Sequence, residues 1–280
     1  MKVRELLTNT YKSSPLLPAE IDSILGITLH KSKEYLYKKS DKNLTISAIK
    51  KFKKLIIKRQ TGWPMAYLRG WQEFYALKFL VNKNTLIPRS DSELIIDTSL
   101  EFLKNSKNLN ILDIGTGSGC LIIALAKNKA NNNYTACDIS KSALKTAKTN
   151  ARKHKTKINF VHSDLLNNIS LDPSSGPKPA QKFDLIIANL PYLTPQQMKE
   201  PSITKEPRSA LLSGKDGLDH YTKLLSTIKP FLAPKSCILL EIDPEQSKQI
   251  KTIIKQYLPQ AKIEIIQDLN KLDRLIKITA

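Results

Sequence analysis

An apolar run at residues 109–114 ends in Gly115-Thr116-Gly117-Ser118-Gly119 and passes straight into CLIIALAK, residues 120–127. Few architectures accept three glycines at alternate positions between a strand and a helix. Glycine lets the backbone turn tightly and approach a ligand where a Cβ would collide, and the helix start behind it presents free N–H groups. The segment therefore reads as the cradle of a nucleotide-type cofactor, with Gly115, Thr116, Gly117, Ser118 and Gly119 as its contacts. Its G-x-G-x-G spacing is not the G-x-G-x-x-G of the dinucleotide fingerprint.

The rest of the chain fits round this element. Between residues 6 and 59 the apolar positions recur at three and four, as in Ile21, Ile24, Leu25 and in Ile46, Ile49, Phe52, Leu55, Ile56, which predicts a small helical unit whose last helix is capped by Thr45 or Ser47. Gly62 and Pro64 break that period, and residues 74–81 then form a strand-like run inside a hairpin connector. From residue 88 onward strands and helices alternate. Helices are expected at 92–103, 119–128, 140–153, 216–228 and 245–256, and strands at 109–114, 134–138, 157–161, 183–188, 236–242, 261–266 and 274–278. This pattern predicts an α/β fold with a mostly parallel sheet of seven strands. The division is a helical docking domain at 1–68, a hairpin linker at 69–87 and a cofactor-binding domain at 88–280. Residues 172–181 (DPSSGPKPAQ) read as a surface excursion, and 194–217 as a long loop beside the chemistry.

Two further clusters fall at strand ends. Asp138 closes the strand after the glycine turn, where a carboxylate can accept both hydroxyls of a ribose. Asp164 and Leu165 follow the next strand, placed to suit an adenine, although an acid there is equally a helix cap. The most informative stretch is Phe183 to Tyr192, an apolar strand that ends in Asn189-Leu190-Pro191-Tyr192. The Asn189 side-chain oxygen and a neighbouring backbone carbonyl are acceptors that can hold both N–H bonds of a planar NH₂ group, which directs its lone pair at an electrophile. Tyr192 can pack against the flat substrate.

Composition narrows the class. Lys and Arg total 45 against 25 Asp and Glu, a net +20, but seven of the 45 are Arg and the lysines are spread along the chain, so a solvated Lys-rich surface is favoured over a nucleic-acid face. The three cysteines, 120, 137 and 237, and the four histidines, 30, 154, 162 and 220, share no metal-ligand spacing, so no metal is expected. With no apolar window of membrane-span length and no signal-peptide start, a soluble, cytoplasmic protein is expected.

Asp113-x-Gly-x-Gly-x-Gly119 with a downstream Asn-x-Pro-Tyr resembles the class I S-adenosylmethionine methyltransferases that act on planar NH₂ groups. Within that group the chain resembles the PrmC/HemK family, the peptide-chain release factor N5-glutamine methyltransferases. The resemblance rests on Gly62-x-Pro64, Tyr67-Leu68-x-Gly70, Glu73-Phe74 and Leu86-Ile87-Pro88-Arg89-Ser90-Asp91-Ser92-Glu93, then on Glu206-Pro207-Arg208-x-Ala210-Leu211, Gly214-x-Asp216-Gly217-Leu218-x-x-Tyr221 and Leu239-Leu240-Glu241-Ile242-x-Pro244-Glu245-Gln246. It covers roughly residues 58–246. It implies a Rossmann-like class I methyltransferase domain behind a helical domain that docks a class-one release factor, with no membrane partner and a monomeric chain. It also implies S-adenosylmethionine on Gly115 to Gly119, Asp138, Asp164, Leu165 and Asn189, with S-adenosylhomocysteine as product. The glutamine of a Gly-Gly-Gln loop would enter at Asn189, Leu190, Pro191 and Tyr192, of which Asn189, Pro191 and Tyr192 are the catalytic candidates.

The chain departs from the family's NPPY at Leu190 and from its PRPETE at residues 88–93. Leu supplies a main-chain carbonyl as well as Pro does, and Pro191 still biases residue 190 away from helix. Asn-Leu-Pro-Tyr is also the form of rRNA adenine dimethyltransferases. An adenine-N6 methyltransferase acting on RNA or DNA is therefore the second reading, opposed by an aromatic content of 6% and no stacking platform in the N-terminal unit. A non-catalytic scaffold on the same fold is the third, opposed by the joint presence of the glycine turn, Asp138 and Asn189.

Overall fold

The computed structural model describes residues 1–169 and 182–280, so the excursion expected at 172–181 lies outside the described residues. The chain divides into two compact units, one of Met1–Trp71 with Pro201–Lys205, the other of Gln72–Glu200 with Glu206–Ala280.

The first unit is helical: α1 (Val3–Ser13), α2 (Pro18–Leu29), α3 (Lys33–Lys38), α4 (Ile46–Gln60) and α5 (Met65–Arg69). Thr45 caps α4, its hydroxyl accepting the Ala48 N–H at 3.2 Å. The apolar spacing read from the sequence becomes a core of Leu6, Leu7, Ile21, Ile24, Leu25 and Phe52. Asp22 is buried beneath it and accepts the Tyr11 and Tyr37 hydroxyls while Lys33 approaches at 3.3 Å. Burial alone would raise its pKa, but these donors prevail and hold the carboxyl below its ordinary value.

A hairpin of β1 (Trp71–Phe74) and β2 (Leu77–Leu80) follows. The strand-like run expected at 74–81 is split because Tyr75 and Ala76 both adopt left-handed conformations, with φ of 48° and 56°, the twist a two-residue hairpin turn demands.

The second unit continues with α6 (Glu93–Phe102), β3 (Asn110–Ile114), α7 (Cys120–Asn128), β4 (Asn133–Asp138), α8 (Lys141–His154), β5 (Asn159–His162) and β6 (Phe183–Ala188). It ends with α9 (Asp219–Ile228), β7 (Leu232–Glu241), α10 (Ser247–Tyr257), β8 (Lys262–Gln267) and β9 (Asp273–Thr279). Among the described residues seven strands form one sheet in the order β5-β4-β3-β6-β7-β9-β8. The first five are parallel, and β9 runs antiparallel between β7 and β8. The mostly parallel seven-stranded class I methyltransferase sheet is thus the observed one. Two boundaries move: α9 starts at Asp219 rather than 216 because Gly217 sits at φ 80°, and β7 starts at Leu232 rather than 236.

Alternation along the strands sends Leu112, Ile114, Ile186 and Leu240 into a core with Tyr221, Leu224 and Ile250. Ile111, Leu185, Ile187 and Leu239 go to the opposite core with Ile95, Ile122 and Ile123. The sheet order reverses at β3, whose neighbours are β4 and β6. Ile114 of β3 is in register with Ala188 of β6, so Gly115 and Asn189 leave the sheet side by side at the switch point, where such sheets hold ligands.

Candidate active site

A cavity of about 1030 Å³, open mouth included, lies at this switch point, in the size class of small-molecule sites, roughly 300–1,000 Å³. Gly115, Thr116, Gly117, Ser118, Asp138, Asp164 and Leu165 line it, and so do Asn189, Leu190 and Pro191. Gly119 and Tyr192 do not.

The glycine turn is built as its spacing demands. Gly115, Gly117 and Gly119 have φ of 72°, 56° and 81°, a region costly to residues with a Cβ. Each glycine makes room for something different. A Cβ on Gly115 would lie 3.0 Å from Leu190 Cδ2, whereas one on Gly119 would lie 2.9 Å from Ile123 Cδ1 and 3.2 Å from Ala147 Cβ. Gly119 therefore serves the packing of α7 against α8, and a Cβ on Gly117 would meet only Gly115 O at 3.9 Å.

Asp138 braces this turn. Its Oδ2 accepts Gly117 N–H at 2.8 Å and its Oδ1 accepts Ser140 N–H at 2.7 Å, which leaves each oxygen a second lone pair. Burial raises its pKa against the pull of those two N–H groups. Below the turn, Asp113 is fully buried with Oδ2 accepting from Thr116 Oγ1 at 2.6 Å and Oδ1 without a partner among the described residues. Burial, with the nearby charge of Asp138 adding to it, pushes Asp113 up to about 7 although Thr116 opposes the rise. A cradle closed to side chains, helix N–H groups behind it and carboxylates at two strand ends fit a ribose-bearing, cationic cofactor such as S-adenosylmethionine.

Asn189 is held by one bond. Its Nδ2 donates to Ser92 Oγ at 3.0 Å, and among the described residues Oδ1 accepts no hydrogen bond, so the side-chain oxygen is the atom left for a ligand. Ser92 is buried and also interacts with Glu241, whose Oε1 accepts the Tyr192 hydroxyl at 3.2 Å. Burial raises the pKa of Glu241 while Ser92 and Tyr192 oppose the rise. The phenol of Tyr192 is shifted upward by burial and by Glu241. Its hydroxyl thus serves the support of the motif, and the stacking face expected of Tyr192 is not part of the cavity lining.

Several supporting residues carried no assigned role in the sequence. Gln246 Nε2 donates to Tyr192 O at 2.9 Å and to Asp216 O at 3.1 Å, fixing the chain just past the motif. Glu206 is buried, accepts the Ile87 N–H at 2.9 Å and pairs with Arg89. The resemblance had marked the segments containing Ser92, Glu206, Glu241 and Gln246, but their partners lie 30 to 119 residues away. His220 also lines the cavity. Asp164, placed on the cavity wall as expected, is ion-paired with Lys223 of α9.

No group of three or more potential metal ligands occurs among the described residues. No helix among them is long and apolar enough to cross a membrane.

Comparison with known proteins agrees with this geometry. The family profile of the PrmC N-terminal domain matches residues 2–70, and that of the Methyltransferase small domain matches residues 92–211. The chain is 33% identical to a release factor glutamine methyltransferase of Bacillus cereus over 81% of its own length and 80% of that protein. It is 35% identical to a bifunctional methyltransferase of Rickettsia typhi over 95% of its own length, but spans only 53% of that relative. A methyltransferase of Pyrococcus furiosus shares the fold with a TM-score of 0.51 at 17% identity, the alignment covering 72% of this chain and 87% of that one. With both halves of the chain matched and a relative covered over four-fifths of its length, this protein belongs to the release factor glutamine methyltransferase family.

Proposed function

We propose that this protein transfers a methyl group from S-adenosylmethionine to the side-chain amide nitrogen of the glutamine in the Gly-Gly-Gln loop of class-one release factors. The observation that carries the reading is the orientation of Asn189. With Nδ2 committed to Ser92, the amide presents an acceptor beside the switch-point cavity, and the backbone carbonyls of Asn189 and Leu190 leave the sheet next to the glycine turn.

The cofactor, when bound, supplies a methyl group already activated by a positive sulfur. Gly115, Thr116, Gly117, Ser118, Asp138, Asp164 and Leu165 would hold it, each in the cavity lining. The chain's own task is positioning, which can be worth roughly 7–11 kcal/mol when the reacting atoms are aligned. Asn189 Oδ1 and a neighbouring carbonyl grip the two N–H bonds of the substrate amide, keep it planar to the site and direct its lone pair outward. These acceptors strengthen as the nitrogen becomes positive, so they favour the transition state over the ground state. The proton leaves after the methyl arrives. No strong base is required for that order of events, and Glu241, held toward its neutral form by burial, acts through Ser92 and Tyr192.

Asn189→Ala is the test. It is expected to leave S-adenosylmethionine affinity within about threefold and to cut turnover on a release factor by roughly 10²–10³, the loss typical of one preorganised transition-state partner. Near-normal methylation by that variant would remove the basis of the proposal. Methylation of rRNA but not of a release factor by the wild-type protein would transfer the reading to an adenine amino group, which presents the same planar NH₂.

A further inference from the structure

His220 stands at the start of α9 and lines the same cavity wall as Asp164 and Leu165. Its ring is held by a single residue, Ser213, which is completely buried. Ser213 Oγ lies 2.7 Å from His220 Nδ1 and accepts the His220 backbone N–H at 3.1 Å. Among the described residues that hydroxyl has no other acceptor for its own proton. Were Nδ1 to carry the hydrogen, the buried hydroxyl would be left without an acceptor, a cost of about 1–3 kcal/mol. The proton of Ser213 therefore goes to Nδ1, and Nε2 carries the ring hydrogen. Burial also lowers the pKa of His220, which keeps the ring neutral near pH 7.

The backbone makes this arrangement rigid. Ser213 N–H donates to Leu193 O at 3.0 Å, just past the Asn-Leu-Pro-Tyr motif, and Leu193 N–H donates to Leu211 O at 2.8 Å. The ring is thus tied to the motif through a short bridge between Leu193 and Leu212. Asp164 is close enough for its charge to act on the ring. One wall of the cavity consequently offers a carboxylate acceptor and, beside it, a neutral N–H donor of fixed tautomer.

We propose that His220 is a cofactor-recognition residue whose Nε2–H donates to a ring nitrogen of the adenine, with Ser213 as the positioning residue that fixes its tautomer. This inference rests on the cofactor assignment made above and deepens it. Adenine is the part of the ligand with the matching chemistry: its ring nitrogens are acceptors, and its exocyclic amino group is a donor that a carboxylate at position 164 can take. A ribose hydroxyl would be served equally by a protonated or a neutral ring, so only the base uses the fixed tautomer.

The experiment is calorimetric titration of the full-length protein with S-adenosylhomocysteine and with its 1-deaza, 3-deaza and 7-deaza analogues, in which one ring nitrogen at a time is replaced by C–H. For the wild-type protein one analogue is expected to bind about three- to tenfold more weakly than the parent, the worth of one neutral hydrogen bond. His220→Phe, which keeps the ring's bulk, should lose a similar factor for the parent and nothing further for that analogue, while His220→Gln, which keeps a donor, should recover most of the loss. Equal affinity of wild type for all analogues, or an equal loss by His220→Phe for every one of them, overturns the assignment. The wild-type series alone decides the matter should a variant fold poorly. Absence of any S-adenosylhomocysteine binding by wild type would instead defeat the cofactor assignment itself, and the role of His220 with it.

Discussion

Gly217 offers a sharp test of how the amide-gripping motif is held. Its φ is 80°, and a Cβ placed on it would lie 2.1 Å from Tyr192 O and 2.3 Å from Gln246 Nε2. Real contacts of this kind need about 3.5 Å, so Gly217→Ala must push either the Tyr192 carbonyl or the Gln246 amide aside by more than an ångström. Forcing an alanine into the left-handed region costs about 1–2 kcal/mol. Displacing the buried Gln246 amide from Tyr192 O, and with it from Asp216 O, strands polar groups at about 1–3 kcal/mol each. The sum is about 3–6 kcal/mol, a large share of the 5–15 kcal/mol typical of a folded domain. Both tryptophans, Trp63 and Trp71, belong to the helical unit. Urea unfolding followed by tryptophan fluorescence therefore reports on that unit, and far-UV circular dichroism reports on the sheet as well. Gly217→Ala should move the dichroism transition strongly, leave the fluorescence transition near its wild-type midpoint, and lower turnover. A dichroism transition within about 0.5 kcal/mol of wild type would show that the backbone there yields easily, and the account of a rigid motif would be wrong.

Other substitutions separate the remaining roles. Ser92→Ala removes the acceptor for Asn189 Nδ2 at 3.0 Å and should lower kcat on the protein substrate about three- to tenfold, with Ser92→Thr restoring it; steady-state kinetics with cofactor affinity measured in parallel checks this. Asp22 has a folded pKa below 3.8, so its contribution is present above that value and lost as the pH falls through the lowered folded one. Asp22→Asn should accordingly reduce the urea midpoint followed by fluorescence at pH 7 and flatten its decline in acid. Leu190→Ala should destabilise by about 2–4 kcal/mol through the cavity it leaves beside Gly115, and calorimetry should show weaker S-adenosylhomocysteine binding.

What could be read from the sequence was whatever local chemistry dictates. Three glycines at alternate positions announced three left-handed residues, Thr45 announced a cap, and the alternation of apolar strands and helices announced a parallel sheet. The placement of β9 between β7 and β8 was not legible, because strand order is set by which apolar faces meet and not by any one stretch. Boundaries slipped where a single dihedral decided them, as at Gly217 and at the Tyr75–Ala76 turn. The supports of the site were hidden for a different reason. Ser92 and Asn189 are 97 residues apart, and Tyr192 and Glu241 are 49 apart, so each looks like an ordinary polar residue until the sheet brings it to its partner. His220 was visible only as a histidine lacking metal-ligand neighbours; its significance depends on Ser213 folding back seven residues to seize one ring nitrogen.

Leu190 carries a consequence for how such a protein can change over time. Its Cδ2 fills the volume that any side chain at position 115 would occupy, so the floor under the methyl donor and the lip that receives the acceptor amide are one packed joint. A lineage that exchanged this leucine for the family's proline would open a gap over the first glycine and would need another neighbour to close it. The two halves of the reaction site are therefore bound to vary in step, and a swap of either stretch into a related scaffold without its counterpart should transplant poorly.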